Sequence, residues 1–349
     1  MNPEVEVLRK LSEAPSPPGF EERVRGIIRE MVEPYVDEVI EDSMGNLITR
    51  IGEGEPKVML AAHMDEVGFL VTHITENGFL KIVNLGGVNP NVALGAKVVV
   101  LAEEGDRLGI VGSVPPHLLR GKREQPTVTI EDLFVDVGAE SREEAEKMGI
   151  KVGTPITFHQ PFYTSGNLMF GKAFDDRLGC AVLVNLAKRL ESVEKGSVYL
   201  AFTVQEEVGL RGAVVASYRI APRAALAIEG TIAADTPGIP PESQVTRTGK
   251  GPAVRIMDAS VIANPRLFKC IIKVAEENKI PYQVQISPKS GTDAGRIQFA
   301  REGVAVSAVS VPARYIHSPL SMARIDDYLN TIKLLEAAIP AIIQEFSET

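Results

Sequence analysis

Residues 198–213 read VYLAFTVQEEVGLRGA, and they place two adjacent carboxylates, Glu206 and Glu207, directly after an apolar run. The run from Val198 to Val204 is typical of a buried strand. Open α/β sheets carry their chemistry in the crevice beyond the carboxyl ends of their strands. Taken alone, the acidic pair also fits a solvated turn, because most loop carboxylates are exposed. The choice between these interpretations depends on the rest of the chain.

Two other strand-like runs are followed by a histidine or an acid. Residues 57–62 lead into His63 and Asp65, and residues 224–228 lead into Glu229. Side chains alternate along an extended chain, so His63 and Asp65 point to the same side. A histidine with a carboxylate two residues later suits a metal ligand with its orienting partner. A core histidine beside a turn aspartate fits this fragment equally well.

A pair of aspartates and a late histidine complete the set of candidate ligands. Asp175 and Asp176 stand directly before the predicted helix 178–190, where carboxylates are favoured as caps and by the helix dipole. Capping accounts for one aspartate and leaves the other available. His317 follows the apolar run 304–311. The candidates are therefore His63, Asp175 or Asp176, Glu206, Glu207, Glu229 and His317.

The residue types in this set indicate a metal site. Two histidines and several carboxylates, with no cysteine, suit zinc, cobalt or manganese. Two metal ions about 3.5 to 4 Å apart would use this many ligands and would clamp an attacking and a leaving oxygen. One carboxylate would remain to accept a proton from water and pass it to the leaving group. Glu206 and Glu207 can divide these tasks, since one can bind metal while its neighbour faces the substrate.

Composition excludes several classes of partner. With 349 residues, of which 44% are hydrophobic, the chain can bury one large core or one core plus a smaller satellite domain. Lys and Arg total 37 against 46 Asp and Glu, a formal net charge of -9, and no basic cluster is present. We therefore expect no nucleic-acid partner.

Cysteine usage and the chain ends favour a cytoplasmic protein. Cys180 and Cys270 lack C-x-x-C spacing, which argues against a disulfide framework and fits a reducing compartment. The N-terminal residues lack the apolar core of a signal peptide. The tract Leu334 to Phe346 is broken by Pro340 and is too short and too polar to span a bilayer. We expect no membrane partner.

The texture of the sequence changes twice along the chain. Residues 4–12 and 20–36 carry helical apolar spacing, whereas from 67 to 163 short β-type runs follow one another between turn signals, which suggests a small sandwich or barrel. Strand and helix alternation then resumes. We predict an α/β catalytic domain, 1–66 and 164–349, interrupted by a β domain, 67–163. The histidines of the middle segment are predicted to lie at its surface: His73, His117 and His159.

The chain contains five motifs in this order: His63-Met-Asp-Glu-Val-Gly68, Ala173-Phe-Asp-Asp-Arg177, Gln205-Glu-Glu-Val-Gly-Leu-Arg-Gly212, Ser290-Gly-Thr-Asp-Ala-Gly295 and Ala313-Arg-Tyr-Ile-His-Ser-Pro319. Together they resemble the motifs of one enzyme family, the M42 metallo-aminopeptidases, which are cytosolic tetrahedral aminopeptidases. Members of this family also carry the names deblocking aminopeptidase, glutamyl aminopeptidase and endoglucanase. Each motif alone is weak, but the combination is specific and covers nearly the whole chain.

The resemblance implies a role for each candidate. Asp175 would bridge two metals, because the family pattern allows Asn at the position of Asp176. Glu206 would be the general base. Asp65 would orient His63 from outside the metal shell. The metal ligands would be His63, Asp175, Glu207, Glu229 and His317. At Glu229 many relatives have Asp, so the carboxylate of this chain has one methylene more of reach.

The resemblance also implies the fold, the assembly and the reaction. The fold would be a zinc-exopeptidase-like mixed sheet flanked by helices, with the inserted β domain serving oligomerisation and lining an internal cavity of a dodecameric tetrahedral shell. The reaction would remove N-terminal residues from short peptides, with two zinc or cobalt ions, manganese also being compatible, and a water or hydroxide bridging the metals as nucleophile. The alternatives are a glycosidase with paired carboxylates and a non-catalytic assembly protein stabilised by metal.

Overall fold

The computed structural model describes residues 2–114, 128–190, 193 and 195–347. The chain begins with two amphipathic helices, α1 (Pro3–Glu13) and α2 (Glu22–Val32), of which α1 is capped by the Asn2 side chain at 2.8 Å from the amide of Glu4. Three strands follow: β1 (Glu38–Glu41), β2 (Leu47–Gly52) and β3 (Lys57–His63). Strands β1 and β2 pair as an antiparallel hairpin.

The next segment closes into a six-stranded antiparallel barrel in the order β4-β5-β8-β7-β6-β9. Its core contains the edge-to-face pair Phe69 and Phe158, whose ring centroids are 5.6 Å apart. His73 and His159 are exposed, as predicted, and His117 lies outside the described residues. The elements are β4 (Gly68–Ile74), β5 (Leu80–Leu85), α3 (Pro90–Ala93), β6 (Lys97–Val100), β7 (Arg107–Ser113), β8 (Leu133–Asp136), α4 (Arg142–Lys147) and β9 (Pro155–Phe158).

Strands and helices alternate over most of the remaining chain. The elements are β10 (Tyr163–Ser165), β11 (Leu168–Gly171), α5 (Phe174–Arg189), β12 (Ser197–Thr203), α6 (Arg211–Ile220), β13 (Ala224–Ile232), β14 (Ala253–Asp258), α7 (Pro265–Glu277), β15 (Gln283–Ser287), α8 (Ala294–Ile297), β16 (Ala305–Arg314), β17 (Ser321–Arg324) and α9 (Ile325–Ser347). Short 3-10 helices lie at Glu33–Tyr35, Ile130–Asp132 and Pro241–Ser243.

Outside the barrel, the described strands join one mixed sheet. Its order is β1-β2-β12-β3-β13-β16-β17-β11-β10, with β14 paired to β16 and β15 paired to β14. Strands β12, β3, β13 and β16 run parallel at its centre. Because parallel strands end at the same edge, the segments that follow these four strands meet on one side of the sheet.

Helices cover both faces of this sheet, as its parallel centre requires. Val58 and Leu60 of β3 point into the core formed with α1, α5 and α9, whereas Met59 and Ala61 point into the core formed with α6 and α8. This follows from the two-residue alternation of a strand. The predicted fold class, a helix-flanked mixed sheet interrupted by a small β-barrel, is confirmed. The domain boundaries at 67 and 163 stay a prediction.

The final helix differs from the expectation. The sequence indicated that Pro340 breaks the apolar tract Leu334 to Phe346, but α9 continues through Pro340 to Ser347. Pro340 is exposed while Ile339 and Ile342 are buried. The carbonyl that loses its helical partner therefore lies on the side open to water, and packing of the apolar face holds the helix together. Within the described residues, no helix combines the length and apolarity needed to cross a membrane.

Candidate metal centre

The carboxyl ends of the parallel strands bring the predicted residues to one edge of the sheet. His63, at the end of β3, pairs in register with Thr203, at the end of the adjacent strand β12. Glu206 and Glu207 lie in the turn that follows β12. Glu229 lies within β13 rather than at its end, two residues beyond the last pair that β13 makes with β3. His317 follows β16. This arrangement accounts for why residues far apart in sequence converge.

Asp175, at the start of α5, lies between the two histidines. Its Oδ1 is 3.2 Å from Nε2 of His63, and its Oδ2 is 3.1 Å from Nε2 of His317. His63 is buried and His317 is about one-third exposed at its side chain. Each oxygen of one carboxylate thus faces a different imidazole, which is the arrangement of a bridging ligand.

Three glutamates surround this pair. Oε1 of Glu207 is 3.2 Å from Nε2 of His317, and the nearest contacts of Glu229 and Glu206 to Nε2 of His63 are 3.8 and 3.9 Å. Oε1 of Glu207 is buried and has no hydrogen-bond partner among the described residues. A buried carboxylate oxygen without a donor is costly, and a cation would compensate it.

Each histidine is held at its other ring nitrogen. Nδ1 of His63 lies 3.1 Å from the backbone oxygen of Asp65 and 3.5 Å from its Oδ1, so the backbone is the nearer acceptor. Nδ1 of His317 lies 3.0 Å from the backbone oxygen of Gly87, in the barrel segment after β5. Acceptors at Nδ1 place the proton there and leave Nε2 free to ligate, as is usual for metal-binding histidines.

The close approach of the barrel depends on two glycines. Gly86 has a φ of +82°, and a Cβ built on it would lie 3.1 Å from Cβ of Glu207. A Cβ at Gly87 would lie 3.1 Å from Nδ1 of His317. Side chains at these positions would press on two members of the cluster.

Asp176 serves the backbone rather than the centre of the cluster. Its Oδ1 accepts the amides of Gly179 at 2.8 Å and Gly230 at 2.9 Å, and its Oδ2 accepts the amide of His63 at 3.2 Å. The carboxylate therefore ties the start of α5 to β3 and β13. The side chains form two groups that could each hold a metal ion, and within each group the potential ligand atoms lie within 4.8 Å of one another. One group is His63, Asp175 and Glu207, and the other is His63, Asp176 and Glu229.

The Asp65 carboxylate fixes the turn that carries the two glutamates. Its Oδ1 accepts the amide of Glu206 and its Oδ2 accepts the amide of Glu207, both at 3.0 Å. Asp65 is fully buried. It therefore orients the acidic turn through its side chain and His63 mainly through its backbone.

The cluster carries more negative charge than its histidines balance. Burial raises the pKa of Glu207 to about 7, and it raises the pKa values of Glu206 and Glu229 well above the ordinary range. Burial lowers the pKa of His317, but Asp175 and Glu207 outweigh it and raise that pKa to about 10. Buried carboxylates without enough positive charge are the setting that divalent cations stabilise. The donor set therefore fits a metal centre.

Asp175 behaves in the opposite way to the glutamates. Burial raises its pKa, but hydrogen bonds from His317 and His63 outweigh this and hold the pKa below the ordinary range. The same carboxylate thus stays ionised between the two histidines. The contrast separates Asp175 from the three glutamates around it.

Two acids near the cluster were given no role from the sequence. Asp293 is buried, accepts the Thr203 hydroxyl at 2.6 Å through Oδ2, and has no partner at Oδ1 among the described residues. Burial raises its pKa to about 6. Its signal was its place in the quoted motif 290–295. Glu21, buried at the start of α2, accepts the amide of Gln205 at 3.1 Å, and its local pattern resembles that of any acid at a helix start.

A cavity of about 510 Å³ opens over the cluster. Asp175, the two glutamates of the acidic turn, Glu229 and His317 line it together with Lys289. Lys289 is exposed. The cavity is large enough for amino-acid side chains to reach the acidic cluster.

Comparison with known proteins agrees with this geometry. The M42 glutamyl aminopeptidase family matches residues 45–334. The chain is 39% identical over 341 residues to a lysyl aminopeptidase of Pyrococcus furiosus, covering 96% of each chain. It superposes with a TM-score of 0.93 on a TET aminopeptidase from a marine-sediment Thaumarchaeota archaeon, at 40% identity and 97% and 95% coverage.

A third relative is known as an assembly. The Pyrococcus horikoshii TET1 peptidase, which can assemble into a tetrahedron or a large octahedral shell, superposes with a TM-score of 0.86 at 34% identity, with 97% of this chain and 99% of that chain covered. M42 peptidases are metal-dependent. Family match, sequence identity and fold agree over nearly the full length, and this chain is therefore a member of the M42 aminopeptidase family, a hydrolase of the exopeptidase class.

Proposed function

We propose that the chain is a dinuclear metal-dependent aminopeptidase that removes N-terminal residues from short peptides. The observation that carries this proposal is the position of Asp175, whose two oxygens each lie close to Nε2 of a different histidine, at 3.2 and 3.1 Å. A carboxylate shared in this way suits two cations about 3.5 to 4 Å apart. One closed structural site would not need so many donors.

The proposed ligands divide around the bridge. His63 and Glu229 lie on one side of Asp175, and Glu207 and His317 lie on the other. Imidazole and carboxylate donors without thiolate suit zinc or cobalt, and manganese is also compatible. The two histidines and two glutamates around the shared aspartate favour a pair of similar cations.

Glu206 is the proposed general base. Its carboxylate is 3.9 Å from Nε2 of His63, and it lines the cavity next to the proposed ligand Glu207. When bound, divalent cations would polarise the scissile carbonyl and lower the pKa of water. Glu206 would accept the proton of the attacking water and deliver it to the leaving amine. Burial raises its pKa, which suits a group that must accept a proton and hold it until the leaving amine takes it.

Metal content tests this proposal independently of turnover. Protein treated with a chelator and dialysed should hold no metal by mass spectrometry and should not hydrolyse aminoacyl-p-nitroanilides. Titration with zinc or cobalt should restore both, with two ions bound per chain. Full activity in metal-free protein, or saturation at one ion per chain, would contradict the dinuclear proposal. Family membership favours aminopeptidase chemistry over the glycosidase and the non-catalytic assembly considered from the sequence.

We also propose that the chain forms a dodecameric shell through its inserted barrel. Support comes from the assembly of the Pyrococcus horikoshii relative and from apolar side chains that the barrel leaves exposed, Leu108 at 66%, Ile110 at 54% and Val152 at 67%. Exposed apolar groups of this kind are typical of interaction surfaces. Light scattering on the purified protein should give twelve times the mass of the chain. Both cysteines are free thiols, in keeping with a cytoplasmic location.

A further inference from the structure

Two buried carboxylates hold three successive amides of the turn that carries the proposed base. Glu206 and Glu207 donate their amide N–H groups to Asp65, each at 3.0 Å, and Gln205 donates its N–H to Glu21 at 3.1 Å. Successive amides that point the same way form a concavity that favours anions. Here both anions are side chains of the protein, so residues from elsewhere in the chain set the course of the turn.

Glu21 ends a segment that is itself fastened beneath the site. Its Oε1 also accepts the amide of Gly19 at 2.8 Å. Ser16 donates its amide to Oε1 of Glu66 at 2.9 Å, and Glu66 donates its amide to the Ser16 oxygen at 3.1 Å. The loop between α1 and α2 is thus tied to the residue that follows Asp65. Both anchors of the acidic turn belong to one connected support.

Burial of the Glu21 carboxylate is energetically unfavourable. The residue is 3% exposed, and burial together with the neighbouring Asp65 raises its pKa to about 7. Buried polar groups destabilise a fold unless their hydrogen bonds compensate. The hydrogen bonds that Oε1 makes are to Gly19 and Gln205, and the second of these reaches the acidic turn.

Gln205 adopts a conformation that needs such support. Its φ is +55°, a left-handed value that is unfavourable for a residue with a Cβ. Strained residues of this kind persist where their surroundings hold them. Gln205 directly precedes Glu206, so the conformation of Gln205 affects where the Glu206 side chain leaves the backbone; Glu21 holds the amide on one side of Gln205 and Asp65 holds the amide on the other.

We propose that Glu21 is a positioning residue for Glu206, because its Oε1 holds the amide of Gln205, the left-handed residue that directly precedes the base. This inference rests on the proposed function, in which Glu206 accepts the proton. A catalytic group must be held within about 0.5 Å of its working position. Loss of the Glu21 oxygen should therefore lower kcat and leave KM and bound metal unchanged.

The test compares three substitutions at one position, with an aminoacyl-p-nitroanilide as substrate and with metal content measured on each protein. Glu21→Ala should lower kcat by about 10- to 100-fold, since a displacement of 1 Å costs up to that much. Glu21→Gln keeps an acceptor at Oε1 and should restore most of the rate. Glu21→Asp keeps the charge but is one methylene shorter, so it should lose rate and serves if the alanine variant does not fold.

Asp327 offers a matched control. It is buried on α9 and accepts the amides of Gly249 at 2.6 Å and Gly251 at 2.8 Å, which belong to a loop apart from the acidic turn. Asp327→Ala removes a carboxylate that also holds two glycine-loop amides, so it should lower thermal stability without changing kcat. If the two alanine variants lose kcat equally, Glu21 has only a structural role and the proposal is overturned.

A double substitution separates this proposal from the one on which it rests. If Glu21 acts through Glu206, Glu21→Ala should not lower kcat further in a Glu206→Gln background. A further loss as large as that seen with Glu206 intact would overturn the positioning role. Normal turnover in Glu206→Gln alone would instead overturn the proposed base. Normal turnover in Glu21→Ala, with Glu206→Gln inactive, would overturn the positioning role alone.

Discussion

The edge of the parallel sheet and the inserted barrel reach the same site by different means. The sheet edge contributes side chains, among them His63 and Glu207, from positions where strands end. The barrel contributes backbone, since Gly87 accepts Nδ1 of His317 at 3.0 Å and Gly86 packs against Glu207. The cluster is thus made of side chains from the sheet edge. A backbone segment of the barrel, which has its own core, holds one of the histidines in place.

The acidic turn of the sheet edge provides the largest expected effect. Glu206→Gln should lower kcat by about 10² to 10⁴, because the proton acceptor is removed, and it should keep both metals. Glu207→Gln should lower the amount of bound metal, since Glu207 is a proposed ligand. Metal analysis and single-substrate kinetics on both variants check this. If their metal contents are the same, the division of tasks within the pair is wrong.

The contribution of the barrel to the site can be tested at Gly87. Gly87→Ala would place a Cβ 3.1 Å from Nδ1 of His317 and should weaken metal affinity by about tenfold or more, the usual cost of disturbing a partner of a ligating histidine. Equilibrium dialysis against zinc measures this. Gly26→Ala is the control, because a Cβ there meets nothing within 4 Å. Unchanged metal affinity in Gly87→Ala would mean that the barrel segment does not hold the ligand.

The thermal stability of metal-free protein should depend on pH with a defined sign. The pKa of Glu207 is raised to about 7 and that of His317 to about 10, so the folded protein binds more protons than the unfolded chain. Stability contributed by these groups is present below their unfolded pKa values and is lost as pH rises. The melting temperature should therefore fall as the pH rises from about 5 to about 9, because Glu207 and His317 lose their extra protons over this range.

Added zinc should remove that slope, because it replaces the protons. Differential scanning calorimetry at several pH values, with and without zinc, makes the measurement. Melting temperatures that rise with pH in the absence of metal would contradict the charge surplus at the sheet edge. The barrel contributes no titrating side chain to the cluster among the described residues, so the effect belongs to the sheet side.

The smallest effect concerns a second contact between the two regions. Arg23 of α2 pairs with Asp106 of the barrel at 2.6 and 2.7 Å, and both side chains are well exposed. Exposed pairs contribute at most about 1 kcal/mol, so Arg23→Ala should change the free energy of unfolding little and kcat not at all. Lys151→Ala, which removes an exposed pair with Glu103 within the barrel, is the control. A loss of kcat in Arg23→Ala alone would show that this contact also positions the site.

The sequence predicted the side chains of the site better than its supports. His63, Asp175 and Glu207 follow strand-like runs or open a helix, and such positions can be recognised from local patterns. The carbonyl of Gly87 has no sequence signature, because every residue has one. Asp65 was expected to orient His63, and its carboxylate lies 3.5 Å from Nδ1 of His63, but nothing in the sequence indicated that the same carboxylate also holds the acidic turn. Hydrogen bonds between segments distant in sequence are not encoded in either segment alone.

The helices and strands that the sequence did not predict were missed for a similar reason, because they lack a local sequence signal. α6 begins after Leu210, a left-handed residue without a capping side chain, so it lacks the usual start signal. β14 is bounded by the Gly-rich loop before it and belongs to a side branch of the sheet. The predicted long strands and helices have strong apolar periodicity. Where periodicity is weak, neighbouring segments determine the structure.

The hydrogen bond between Gly87 and His317 limits how the two regions can be separated. A protein engineer who removed the barrel strands β4 to β9, to obtain a minimal hydrolase, would leave every proposed ligand in the chain and yet delete the acceptor that orients His317. A transplanted barrel would have to bring the Gly86-Gly87 pair in the same place. The insertion is therefore not a detachable module, and a shortened enzyme would need a new second partner for that imidazole.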